Sequence, residues 1–233
     1  MMNLLVNASS YEGVNRFVIV LQSLYDLVPV TLFLIASIVL MKSLYNKMVK
    51  GAYVLFSGGS IMVFVAGLLK AMHKCFIGLF QIDYIILDKQ FTSTQSIGFL
   101  LIFLGLLGMF TKYNKDYTKV RSSILPIIAI WPILAISEYT SSMPFVAMMV
   151  IGATGIMAMF IYMSLRLKNK KAMILYIVAF ISMLAMGYLS TKADFSKAWI
   201  QISVNVIYQA SYLLGAILLK KSGLDNEDCF YKE

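Results

Sequence analysis

Gln201, Asn205 and Gln209 recur at intervals of four in a stretch that carries no charge from Lys197 to Lys220, and Gln22 and Asp26 repeat that interval near the start of the chain. On a helix such spacing stacks side chains on one face, so three amides form one polar stripe and Gln22 with Asp26 a shorter one. Amides both donate and accept hydrogen bonds, and a carboxylate accepts or exchanges a proton. The chemistry implied is recognition of a polar solute or an ion, with Asp26, Gln22, Gln95, Asn205, Gln209 and Gln201 as the candidate ligand-binding residues. Lys70, His73 and Glu138 lie near the ends of apolar runs and form the expected rim. Pro29, three residues after Asp26, frees a backbone carbonyl beside that carboxylate.

The elements that position these groups are membrane-spanning helices. Seven stretches run 15 to 27 residues without a charged side chain, in a chain of 233 residues that is 60% hydrophobic and 13% charged. A bilayer core about 30 Å thick takes roughly 20 apolar residues at 1.5 Å each. The expected fold is therefore all-α: a polytopic membrane protein of seven transmembrane helices filling residues 1–233 as a single domain. The spans are expected at 17–41, 52–69, 90–111, 123–137, 144–165, 172–190 and 198–219. The fourth is the shortest, and Pro126 and Pro132 interrupt its hydrogen-bond ladder, which predicts a kink or a partly unwound half. Residues 70–89 read either as an interfacial or re-entrant segment over the outer face, or as an extension of the second helix.

Charge placement orients the bundle. The connections after the first, third, fifth and seventh runs, with the tail, hold 14 of the 20 Lys and Arg residues; Arg16, Lys70, Lys74, Lys89, Lys192 and Lys197 are left for the other side. The positive-inside rule puts the N-terminus outside and the C-terminus in the cytoplasm, in the cell membrane. The net charge of +9 then belongs against anionic headgroups, not nucleic acid. The start, with no basic n-region or cleavage site, predicts an uncleaved first helix. Asn7-Ala8-Ser9 fits an outer glycosylation sequon, informative only in a eukaryotic source. Cys75 and Cys229 are expected on opposite sides and so unable to pair.

Depth separates polar from apolar. The inner halves, Val30 to Met41, Phe99 to Phe110, Met173 to Phe180 and Leu213 to Leu219, are almost wholly apolar, whereas the outer halves carry the residues above and Thr92, Ser93, Thr94 and Ser96. Because an amide or acid facing lipid is costly, these side chains should turn inward. The expectation is an outward-facing polar pocket lined by the first, third and seventh spans, plugged below by apolar side chains. Amides that merely hydrogen-bond one another to hold helices together are the competing reading. A buried Asp26 needs a partner or a raised pKa, and if Lys70 is that partner the pair serves structure as readily as function.

With a single histidine, His73, multi-His metal sites and haem pairs are excluded. Gly-x-Ser-x-Gly, His-Glu-x-x-His and Walker patterns are missing, as is a lysine within the last apolar run that could hold retinal. No catalytic residue, metal or cofactor is expected. The chain reads as a small-molecule or ion transporter or binding protein. The alternative is a membrane sensor or assembly subunit that engages a protein partner or a second copy of itself.

At the level of architecture the expected topology resembles the sugar transporters built as three helices, a linker helix and three more. Pro29 and Pro144 would take matching places in such a duplication, with Asn205 on the last helix. The chain departs from that pattern in having no Pro-Gln pair and no proline in its second and sixth spans, and the family is not assigned on this likeness.

Overall fold

The computed structural model describes residues 15–110, 143–190 and 195–225. They form six long helices: α1 (Arg16–Leu44), α2 (Lys50–Phe80), α3 (Ile85–Phe110), α4 (Met143–Arg166), α5 (Lys170–Ser190) and α6 (Phe195–Leu219), the last running into a π-helical turn over Lys220–Leu224. Each contains a stretch long and apolar enough to cross a membrane. The expected span at 123–137, with Pro126, Pro132 and Glu138, lies outside the described residues, as do Asn7, Lys192 and Cys229.

Local signals set the ends. Asn15 caps α1, its Oδ1 accepting from the Phe17 N–H at 3.0 Å, which satisfies one of the orphan donors of the first turn. Of the two readings of residues 70–89, the extension of the second helix holds as far as Phe80: α2 runs on and stops at Gln81, whose left-handed backbone (φ 57°) lets its N–H reach the Ile77 carbonyl. α2 is therefore 31 residues, about 46 Å, some ten residues longer than a 30 Å core requires. Cys75, expected in a loop, lies within that extension. Asn169 joins α4 to α5: its Oδ1 accepts from the Ala172 N–H at 3.0 Å, while its amide nitrogen donates to Ser222 Oγ at 2.6 Å and the Leu218 carbonyl at 3.3 Å.

The helices pack in sequence order, and α6 returns to α1, so the six close a ring. Their directions follow from residues that touch. Gly78 lies against Ile19 and Val20, and Gly67 against Val30, so α1 and α2 are antiparallel. Gly59 meets Gly98 and Ile102 while Gly105 meets Ala52 and Phe56, so α2 and α3 are also antiparallel. A Cβ on Gly59 would stand 2.6 Å from the Gly98 carbonyl oxygen, which is why a glycine is needed at this crossing. α3 and α4, by contrast, run the same way: Gly152 abuts Phe99 and Leu100, and Gly155 abuts Phe103. α1 and α6 are parallel too, with Tyr25 stacked on Trp199 at 5.9 Å and, further along both helices, Phe33 on Tyr212 at 6.1 Å.

The core fills the ring toward the end where α1 finishes and α2 begins. Leu40, Leu44, Phe56, Ile102, Leu106, Met163, Leu219 and Leu224 are fully buried there. Outward faces such as Leu21, Leu24, Val28 and Ile35 on α1 and Ile174, Ile181 and Leu184 on α5 are exposed and apolar, the pattern of helices that present lipid-compatible surface. Pro29 and Pro144 do not occupy matching places: Pro29 is 15 residues from the end of α1, and Pro144 is 22 from the end of α4. The seven-residue offset moves one about 10 Å along the axis relative to the other.

Candidate functional site

On α1 the exposed side chains Phe17, Leu21, Leu24 and Val28 mark one face, and the buried Ile19, Gln22, Asp26, Phe33 and Leu40 mark the opposite face. Helical periodicity therefore turns Gln22 and Asp26 toward the inside of the ring. The same test on α6 sets Ile200, Ile207 and Leu214 outward and Ile202, Gln209, Tyr212 and Ala216 inward. Asn205, half-buried, shares the inward face with Gln209, and Gln201 lies at its border, also half-buried. The Tyr25 to Trp199 and Phe33 to Tyr212 stacks set the register of the two helices. Asn205 thus sits roughly one turn, about 5 Å, deeper than Asp26. Gln95 on α3 is half-buried.

The ion-pair partner of Asp26 in the structure is Lys74. The Asp26 Oδ2 lies 2.5 Å from Nζ of Lys74, with both side chains more than nine-tenths buried. The approach is an ion pair whose angles fall outside hydrogen-bond geometry, so Oδ2 has close charge compensation without a directed donor. Beside it, Ser23 Oγ donates to the Ala71 carbonyl at 2.7 Å and fixes the height of α1 against α2. Lys70, one turn earlier on α2, places its ammonium 4.9 Å from the centre of the Phe91 ring, a cation–π contact between α2 and α3. His73 is bound to Asp83, Nε2 to Oδ1 at 2.8 Å, and so ties the end of α2 to the Gln81–Tyr84 turn. The expected rim is thus divided: Lys70 and His73 hold the α2–α3 hairpin, and Glu138 lies outside the described residues.

Gln22 is the most unusual side chain of the group. It is 0% exposed, and neither its amide nitrogen nor its oxygen has a hydrogen-bonding partner among the described residues. Gln209 is 7% exposed and its Oε1 also lacks a partner. Leaving such groups unmet costs about 1–3 kcal/mol each, so amides acting only as glue between helices would be expected to bond one another. Among the described residues no group of three or more His, Cys, Asp or Glu side chains comes together.

Below this level lies a group that the sequence reading counted as apolar packing. Phe160 stacks on Tyr176 at 5.1 Å, and Tyr212 meets both rings edge-on at 5.6 and 6.0 Å. Tyr176 is fully buried with its hydroxyl unpartnered among the described residues, and the Ser37 hydroxyl on the inward face of α1 is likewise buried and unpartnered among them. The inner half is therefore less uniformly apolar than expected. Tyrosine at an inward helical position was the available signal, masked because its ring scores as hydrophobic.

The chain matches no protein-family model, no curated protein and no solved structure.

Proposed function

We propose that this chain crosses the membrane seven times, with its N-terminus outside and its C-terminus in the cytoplasm, and binds a small polar solute or ion in its outer half as a transporter or binding protein. The parallel pairs support the number of crossings. α3 and α4 are neighbours pointing the same way, so the chain that leaves α3 at one end must travel back to the other before α4 starts; residues 111–142 are long enough to do so. The parallel run of α1 and α6 agrees with the same odd count. Charge supports the orientation: Lys42, Lys47, Lys50, Arg166, Lys168, Lys170, Lys171, Lys220 and Lys221 all fall at the end where α1, α4 and α6 finish. That end suits the cytoplasmic leaflet, where anionic headgroups attract lysine.

The observation that carries the binding role is Gln22, buried with both amide atoms unmet among the described residues, on the same face of α1 as Asp26 of the Asp26–Lys74 pair. Polar groups are retained inside a membrane bundle at a cost, and function is the usual reason. Purified protein in liposomes should pass small solutes faster than empty liposomes, measured by stopped-flow swelling, with Asp26→Asn slowing the flux. Flux equal to empty liposomes, together with a companion chain that co-purifies in mild detergent, would favour the sensor or assembly role instead.

A further inference from the structure

We infer that the solute taken by the Gln22–Asp26–Lys74 cluster has zero net charge and carries hydrogen-bond donors and acceptors together; the inference rests on the binding reading above and narrows its ligand class. Asp26 and Lys74 already cancel one another at 2.5 Å, with side chains 8% and 9% exposed. A monovalent ion brought beside them would add a net charge to a pair that is already neutral, in a place where water does little screening. Gln22 points to the rest of the chemistry. Its free oxygen calls for a donor and its free nitrogen for an acceptor. A polyol, a carboxamide or an amino-acid zwitterion meets that demand, whereas a bare cation or anion meets half of it. The zwitterion has a further match, since its two ends complement Asp26 and Lys74.

The test uses the full chain in liposomes with four probes: erythritol and glycine, which carry no net charge, and choline and methanesulfonate, which do. The expected result is swelling with erythritol or glycine at least tenfold faster than with either ion. Gln22→Met, which keeps the length of the side chain and removes both polar atoms, should bring that flux to the level of empty liposomes. It should also raise Tm in detergent by a few degrees, because a buried amide without partners is replaced by an apolar group. Gln22→Asn should keep part of the flux. Choline or methanesulfonate moving fastest would overturn the inference while leaving the binding reading in place. Retained flux in Gln22→Met, or a fall in its Tm, would assign Gln22 a packing role and also overturn it. Flux of none of the four probes, together with no shift of Tm by any of them, would overturn both.

Discussion

An ion pair with both side chains more than nine-tenths hidden depends on each member for the other's tolerance of burial. Removing one leaves an uncompensated charge, so Lys74→Met should destabilise the protein by about 3 kcal/mol. The double change Asp26→Asn with Lys74→Met should recover most of that loss, because no charge then remains buried. Thermal unfolding in detergent reads both, and a double variant no better than Lys74→Met would contradict the pairing. Lys70→Met should cost about 1 kcal/mol or more, the scale of the partly buried cation–π contact with Phe91. The polar positions themselves were legible in the sequence, since Gln22, Asp26 and Gln209 stand out in uncharged runs and the period of the helix assigns them a face. The partner of Asp26 was not. Lys70 and Lys74 are one turn apart, and choosing between them required knowing that α2 continues past His73 and how high it stands against α1, which Ser23 and Ala71 decide. The unmet hydroxyl of Tyr176 was hidden by the apolar body of its own side chain.

Glycine placement governs how closely the elements approach. A Cβ at Gly152 would stand 2.6 Å from the Leu100 nitrogen and the Phe99 carbonyl carbon, both backbone atoms unable to swing aside. Gly152→Ala should therefore push α4 off α3 and cost about 1–3 kcal/mol. Gly51→Ala, with nothing within 4 Å of the added carbon, should be neutral or stabilising by up to about 1 kcal/mol. Equal melting temperatures for the two would contradict the close crossing. At the other joint, Asn169→Ala removes the cap on α5 and two bonds to the end of α6, an expected loss of about 1–3 kcal/mol. Hydropathy located all six described helices within a few residues at most ends. It left the last turns of α2 open between an interfacial segment and a helix extension because His73 and Lys74 interrupt the apolar run, although both are satisfied by tertiary partners, Asp83 and Asp26. Contacts made across helices are invisible to a pattern read along one of them.

For the whole molecule, the ring order and the two parallel contacts are what the sequence could not supply. Run lengths and lysine counts lead to seven spans and an orientation, but not to α3 lying beside α4 or α6 beside α1. Those neighbours are chosen by packing among residues more than 40 positions apart, such as Phe103 with Gly155. They turn the number of crossings into a question of geometry, since parallel neighbours require a return path between them. The proposed site depends on that closure, because Gln22 and Asp26 on α1 and Gln209 on α6 are buried toward the inside of the ring.

The most direct measurement is labelling with a membrane-impermeant thiol reagent on intact cells, with Cys75 and Cys229 replaced by Ser and single cysteines placed at the two ends of the ring. Gln81→Cys in the α2–α3 turn and Pro144→Cys at the start of α4, both exposed positions, should label from outside. Lys168→Cys in the α4–α5 turn and Asp225→Cys after α6, also exposed, should label only once the membrane is opened. Pro144 labelling from the same side as Lys168 and Asp225, or Gln81 and Asp225 sharing a side, would contradict the seven-crossing ring and the outward-facing site built on it.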